Sequence, residues 1–411
     1  MIASSLPLLG TLGWRNLWRH PRRTLIILFA ITLGVWFMVI SAAMMIGLIE
    51  QQLNDTIFNL TGHAQIHHPK FRDDPAIEHS MPLPNKKLLE TLDSGEVTQW
   101  SVRVRLPAIV MSERESRGVT LVGIDPTREI GLSFIGNPVV EGRSLESIED
   151  NGIVIGQRMA EKLETRVGKR IVIMLQDKTN EVADRGFRIV GLFKAELEAT
   201  ETAYVFTGLS TAQTLVGMAN EISEISLVTR SREKLDPLVA DLRKAAPQFE
   251  SLSWQELEPL VVTAMAVYEN FIFIWYLIIF VAMAFGLTNT MLMAVFERTR
   301  EIGLLQALGM RPRSIVGQVM LESLILLFLG VLLGNLIGWL TTDIILRDGV
   351  DLSAFARGTE QFKIGSTMYF IWRLEDLLTI DVLVIVLGLL ASLYPAVKAA
   401  RYAPVEAIAG N

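Results

Sequence analysis

The sequence contains no cysteine among its 411 residues, which removes disulfides and thiolate metal sites without identifying a compartment. It has no Gly-x4-Gly-Lys-Ser/Thr phosphate loop either; Gly168-Lys169-Arg170 lacks the upstream glycine and the hydroxyl. Nucleotide hydrolysis is therefore not expected of this polypeptide. No His-Glu-x-x-His and no Gly-x-Ser-x-Gly elbow occurs. An excess of positive charge is missing too: the net charge of -6 suggests no nucleic-acid surface. What the chain has in quantity is apolar surface, with 50% hydrophobic residues gathered in long blocks at both ends. That excludes an ordinary soluble protein. The middle reads as a globular domain, large enough to bury a core without disulfides.

Four runs have membrane-spanning length. Thr24 to Ile49 carries no charge and far exceeds the apolar core of a signal peptide. Phe271 to Phe296 is the second, with Tyr268, Trp275 and Tyr276 read as interfacial aromatics. Ser323 to Thr342 is the third, and Gly330, Gly334 and Gly338 repeat along it every four residues. A smooth stripe of that kind lets a neighbouring helix approach closely, so these glycines are the expected helix-packing seam. The fourth run, Val382 to Val397, is short; adding Leu377 to Ile380 makes a span if Asp381 sits at the outer interface or faces protein. Ahead of the first span, Trp14, Leu17 and Trp18 fall at helical spacing with Arg15 and Arg19 opposite. Trp14, Arg15, Trp18 and Arg19 are thus expected at the membrane interface, on lipid headgroups.

Basic residues orient the spans. Arg15, Arg19, Arg22 and Arg23, then Arg298, Arg300, Arg311 and Arg313, then Lys398 and Arg401 flank them on one side. The loop between spans three and four is richer in acid, with Asp348, Asp351, Glu360, Glu375 and Asp376 against Arg347, Arg357, Lys363 and Arg373. The positive-inside rule places both termini and the 297–322 loop in the cytoplasm and the long middle region outside. Expected boundaries are an interfacial helix at 1–23, spans at 24–50, 266–296, 315–346 and 377–397, an external domain at 51–265, a cytoplasmic loop at 297–314, an outer loop at 347–376 and a tail at 398–411.

In the middle, alternation at 101–105, 119–123, 171–174 and 187–190 predicts strands, and 85–92, 157–165, 211–216 and 231–246 predict helices. Interleaving without a strict βα repeat makes the domain α+β. Its flanks, 47–58 and 254–270, keep helical apolar spacing, so spans one and two are expected to extend outward as stalks. His63, His67 and His68, with His79 nearby, are the one set of candidate metal ligands. Pro69 and the strand-like Ala64-Gln65-Ile66 argue against the helix they would need, and a polar loop is the plainer reading. Glu322 is expected at the cytoplasmic interface among arginines, and Asp343 and Asp381 at the outer one.

The cytoplasmic loop is the most informative stretch. Ile302, Leu305 and Leu308 make an apolar ridge of about two turns, with Leu304 beside it; Gly309 suits a helix stop and Pro312 forbids continuation. The ridge fits lipid or protein equally well on physical grounds.

Together, the motifs resemble the MacB/LolC/FtsX-type permeases of ABC transporters. They are Arg15-Asn16-Leu17-Trp18-Arg19-His20-Pro21-Arg22-Arg23-Thr24, Gly142-Arg143, Ile153-Val154-Ile155-Gly156, Ala160-Glu161-Lys162-Leu163, Val167-Gly168 and the run from Phe187 to Phe193. The most specific is Glu297 to Gly309, and the series closes with Tyr394 to Arg401 and Pro404 to Ile408. The resemblance implies four spans, a two-lobed MacB-like periplasmic domain between the first two, and dimerisation with itself or a second permease. One lobe would be discontinuous, about 60–110 plus 222–258. It implies a separate cytoplasmic ATPase carrying the ATP and Mg, with no cofactor on this chain, and a bacterial inner-membrane location. The ATPase would be met by Glu301, Leu304, Leu305, Leu308, Gly309 and Met310. Because the chain begins at the interfacial helix, it is most similar to the LolC/LolE type. The function implied is extraction or export of a lipoprotein-like or other hydrophobic or periplasmic substrate; the alternatives are an FtsX-like signalling permease acting on a periplasmic partner, or a receptor without an ATPase.

Overall fold

The computed structural model describes residues 18–19, 21–179, 181–195, 198–351 and 367–401, and it divides into a helical unit and a second unit running from Gln51 to Ala264. Among the described residues, four helices are long and apolar enough to cross a membrane. They are Pro21–Thr56, Pro259–Glu297, Pro312–Leu340 and Leu374–Ala400, here called the first to fourth spans. The first two have 36 and 39 residues, well beyond the roughly 20 that a bilayer requires. The excess lies in the flanks expected to be stalks. Proline opens the third span, where a missing N–H costs nothing, after an extended Arg311.

Ile31, Val35, Met38 and Leu327 are sealed from solvent in the bundle core, joined by Tyr276, Met283, Val331 and Val384. Tyr276, read as an interfacial aromatic, is 6% exposed and packs inward. Polar side chains cross-link the spans: Trp36 Nε1 donates to Thr341 Oγ1 at 3.1 Å, and Asn335 Nδ2 donates to both oxygens of Asp381 at 2.9 and 3.0 Å. Asp381 therefore faces protein. Such bonds contribute about 0.6–2 kcal/mol each inside a membrane. Outside the fourth span, the returning chain lies on the first: Ile371 N donates to Ala43 O at 3.0 Å, and Arg373 pairs with Glu50.

The second unit is built on a mixed sheet of ten strands. These are β1 (Ala64–His67), β2 (Val97–Met111), β3 (Ser116–Ile124), β4 (Glu141–Gly142), β5 (Gly152–Gly156), β6 (Arg170–Gln176), β7 (Val182–Phe193), β8 (Tyr204–Gly208), β9 (Glu224–Thr229) and β10 (Glu250–Ser253). Hydrogen-bonded order is β10-β1-β9-β2-β3-β8-β5-β7-β4, with β6 pairing β2 and β7. Strand β2 belongs to two lobes. Through Arg103 it pairs with β9, and from Val104 onward with β3. The outer lobe thus joins β1, β9, β10 and the start of β2, and the inner lobe holds the rest. The changeover falls seven residues before the expected 110, because the register, not a loop, divides the lobes.

His63 and His67 do not lie in a polar loop. His67 ends β1, which is paired on both edges, and just before it the His63 backbone bonds to Leu227 O and Trp254 N; the two are 2% and 8% exposed. Thr229 N donates to His63 Nδ1 at 2.8 Å, leaving Nε2 to carry the proton; His67 Nδ1 meets His68 O at 3.0 Å. Among the described residues no group of three His, Asp or Glu is placed to hold a metal. Burial, and then the nearby Arg232 charge, push the His63 pKa down to about 4. His63 is neutral in the fold, so between pH about 6.5 and about 4 the unfolded chain binds a proton that the folded chain does not. Stability is full above that window and falls as pH drops through it. The loss is about 1–2 kcal/mol once solvent screening is allowed for. Denaturant melts at pH 7 and 4.5 should show it, and His63→Asn, whose Oδ1 can accept from Thr229, should flatten the difference.

Candidate functional site

Between the second and third spans the chain forms one short helix, Thr299–Ala307. It ends in a Schellman arrangement: Gly309 N donates to Gln306 O at 2.9 Å and Met310 N to Leu305 O at 3.0 Å. That geometry needs a left-handed residue, supplied by Gly309 at φ 93°. Pro312 then starts the third span, so two local signals hold the helix to about two turns.

Three anchors fix it to the spans. Ile302, 8% exposed, packs among Val295, Ile315 and Ala399, from the second, third and fourth spans. Gln306 Nε2 donates to Ala400 O at 3.3 Å. At the root, Arg298 Nη1 lies 3.0 Å from Glu322 Oε2, both side chains largely buried at 14% and 10% exposure, and Gln318 Nε2 donates to the same carboxylate at 3.4 Å. Glu322 is thus a structural counter-ion in the corner. Removing one member of such a pair strands the other charge at a cost of about 3–5 kcal/mol. Arg19 reaches Glu301 at 3.4 Å through an exposed pair; Trp18 is half exposed, while Trp14 and Arg15 lie outside the described residues.

This docking splits the expected ridge. Ile302 turns inward, and Leu305 and Met310 are half-buried. Leu304, Leu308, Glu301 and Gly309 stay exposed, with Leu304 at 56% and Leu308 at 77%. A helix of two turns that spends one apolar face on the bundle presents only what remains, here an i, i+4 pair of leucines. A cavity of about 400 Å³ lies behind it, between Leu304, Leu305 and Met310 on one side and Met291, Val295 and Gln318 on the other.

The glycine stripe faces the first span with one partner per turn. A Cβ on Gly330 would lie 2.4 Å from Ile31 Cγ2, on Gly334 2.6 Å from Val35 Cβ, and on Gly338 2.7 Å from Val39 Cγ1. No side chain fits there. Gly388 of the fourth span meets Leu327 in the same way, at 2.6 Å, a contact that the spacing along the third span alone does not reveal.

Sequence reading also missed a charged cluster in the second unit. Arg103 is fully buried, with Nε and Nη2 each 2.8 Å from a different Glu129 oxygen and Nη1 3.3 Å from Glu224 Oε1. Alternation in Val102-Arg103-Val104-Arg105 reads as a strand with one wet face. Here β2 is covered on both sides over residues 101–104, which are all buried. Burial pulls the Arg103 pKa down, and the Glu129 and Glu224 carboxylates more than reverse it, so the guanidinium keeps its proton.

Two family models match the chain: an FtsX-like permease C-terminal model over residues 272–404 and a MacB-like periplasmic core domain model over residues 24–245. Among relatives, the lipoprotein-releasing system transmembrane protein LolC of Neisseria meningitidis is 23% identical over 404 residues, covering 94% of this chain and 93% of its own. The corresponding LolE of Haemophilus influenzae is 23% identical, covering 97% and 99%. The macrolide export ATP-binding/permease protein MacB of Syntrophobacter fumaroxidans is 28% identical over 198 residues, 47% of this chain and 24% of that one. Of solved structures, the periplasmic region of MacB from Actinobacillus actinomycetemcomitans is 12% identical and covers 51% of this chain and 98% of its own, with a TM-score of 0.36.

Proposed function

This chain belongs to the MacB/LolC-type ABC transporter permeases, multi-pass proteins of the inner membrane, and from that premise we propose that it turns ATP hydrolysis on a separate cytoplasmic ATPase into movement of its periplasmic domain. ATP and Mg would bind on that partner. Both termini and the Thr299–Ala307 helix would face the cytoplasm, as the arginine distribution requires. Leu304 and Leu308 would enter an apolar groove on the ATPase, with Glu301 and Gly309 at the rim.

One observation carries the reading: a rigid two-turn helix, locked to the second, third and fourth spans by Ile302, leaves two leucines exposed at its outer face. A helix that only floated on lipid would not need to be tied to three spans at once. Tied in this way, a push on it reaches all of them. The substrate would be a lipoprotein-like or other hydrophobic periplasmic molecule. Two relatives that match this chain over nearly their whole length are named for lipoprotein release, which favours transport over signalling. The working unit would pair two permeases, identical or not.

Co-expression of the full chain with a candidate ABC ATPase from the same genome tests the proposal. The two should co-purify in detergent and hydrolyse ATP after reconstitution. Failure of that ATPase to associate with the wild-type chain would overturn the reading.

A further inference from the structure

The first helix does not end where its regular hydrogen bonding stops at Thr56. It passes into one wide turn, Ile57–Thr61, in which Leu60 adopts φ 73°, ψ -12°. Leu60 is 1% exposed and its side chain is set in the inner-lobe core with Val122, Ile124, Val154 and Phe206. A left-handed conformation at a buried, branched residue persists only where the surroundings over-determine it. Here Arg103 Nη1 donates to Leu60 O at 2.5 Å, and Gln65 Nε2 donates to the same oxygen at 3.2 Å.

Arg103 therefore holds three things. Its fork grips Glu129 of the inner lobe, which also accepts from Ser133; its Nη1 reaches Glu224 at the start of β9 in the outer lobe; and the same nitrogen holds the root of the stalk. It does so from the last residue of β2 that pairs with the outer lobe, one position before pairing passes to the inner lobe. A planar guanidinium with several fixed donors can serve three acceptors at once; an ammonium cannot hold the same fork. Apolar residues would fill this space with comparable or better stability, so a buried ionic cluster is better understood as fixing one arrangement than as adding strength.

Resting on the permease reading above, we propose that Arg103 is the positioning residue that passes displacement of the first stalk to the junction of the two periplasmic lobes, so that the lobes turn when the stalk moves. Without its grip, the stalk root moves while the lobes keep their resting angle.

The absence of cysteine makes the test direct. Glu113→Cys, in the β2–β3 turn of the inner lobe, and Asp241→Cys, on the outer-lobe helix Leu235–Ala245, would carry spin labels at two exposed positions. In the reconstituted full complex, ATP should shift the distance between the labels. Arg103→Gln should abolish that shift while ATP turnover continues, and Arg103→Lys should restore part of it. A merely structural role would lower the melting temperature without separating turnover from movement. If Arg103→Gln does not fold, Glu129→Gln, which keeps shape and removes one charge, should give the same separation. A full ATP-dependent shift in the Gln variant that folds overturns the assignment of Arg103 and leaves the permease reading intact. No shift in the wild-type complex overturns the turning of the lobes, whereas failure of the ATPase to associate with the wild-type chain overturns the permease reading as well.

Discussion

Leu308→Asp should abolish recruitment of the ATPase while the spans remain assembled, and Leu304→Asp should weaken it nearly as much. The two side chains are 77% and 56% exposed, so the free permease gains little from them. In a complex, each leucine buried in an apolar groove contributes about 1.5–3 kcal/mol. A carboxylate in its place would lose that and add a desolvation penalty, so affinity should fall at least about a hundredfold, or ~3 kcal/mol. Pull-down of the co-expressed ATPase gives the affinity change, and size exclusion of the permease alone gives its integrity. Ile302→Asp is the contrasting variant. That residue is sealed among Val295, Ile315 and Ala399, so its loss should damage the permease itself. Retained binding by a Leu304→Asp/Leu308→Asp double variant would remove the exposed leucines from the contact.

Gly334→Leu should have the largest effect on assembly of the membrane unit. A Cβ alone at Gly334 would stand 2.6 Å from Val35 Cβ and 3.1 Å from the Thr32 carbonyl, so even alanine must push the first span away. Overpacking of a dense interface costs about 1–3 kcal/mol, and leucine would also spoil the contacts on either side at Gly330 and Gly338. Lipid gives no hydrophobic drive to close the gap again, since tails solvate a separated helix as well as a neighbour does. The expected result is loss of the monodisperse peak on size exclusion and a lower melting temperature in detergent. Val35→Ala combined with Gly334→Ala should recover much of both. An undiminished melting temperature in Gly334→Leu would show that this seam carries no packing energy.

Much of this was legible in the chain. The spans announce themselves as charge-free runs, and the stop at Gly309 followed by Pro312 is local chemistry that no distant neighbour can override. The four-residue glycine spacing marks a smooth face for the same reason. What is not legible is which way a short amphipathic helix turns. Periodicity groups Ile302 with Leu305 and Leu308, whereas the cup that takes Ile302 is assembled from Val295, Ile315 and Ala399, residues brought together only by tertiary folding. Alternation likewise assumes a strand with one dry side, so it gives no sign that residues 101–104 of β2 are enclosed on both faces.

The hydrogen bonds from Asn335 to Asp381 also bear on how the protein is made. An aspartate at the centre of a span opposes partition from the translocon by about 2.5–3.5 kcal/mol, and by less toward its ends. The fourth helix, Leu374–Ala400, carries that burden at Asp381, while its amide partner resides in the third, Pro312–Leu340. Ribosomal order delivers the amide first. The fourth segment is therefore best integrated with the third already in or beside the channel, where the Asn335 amide can take up the Asp381 carboxylate.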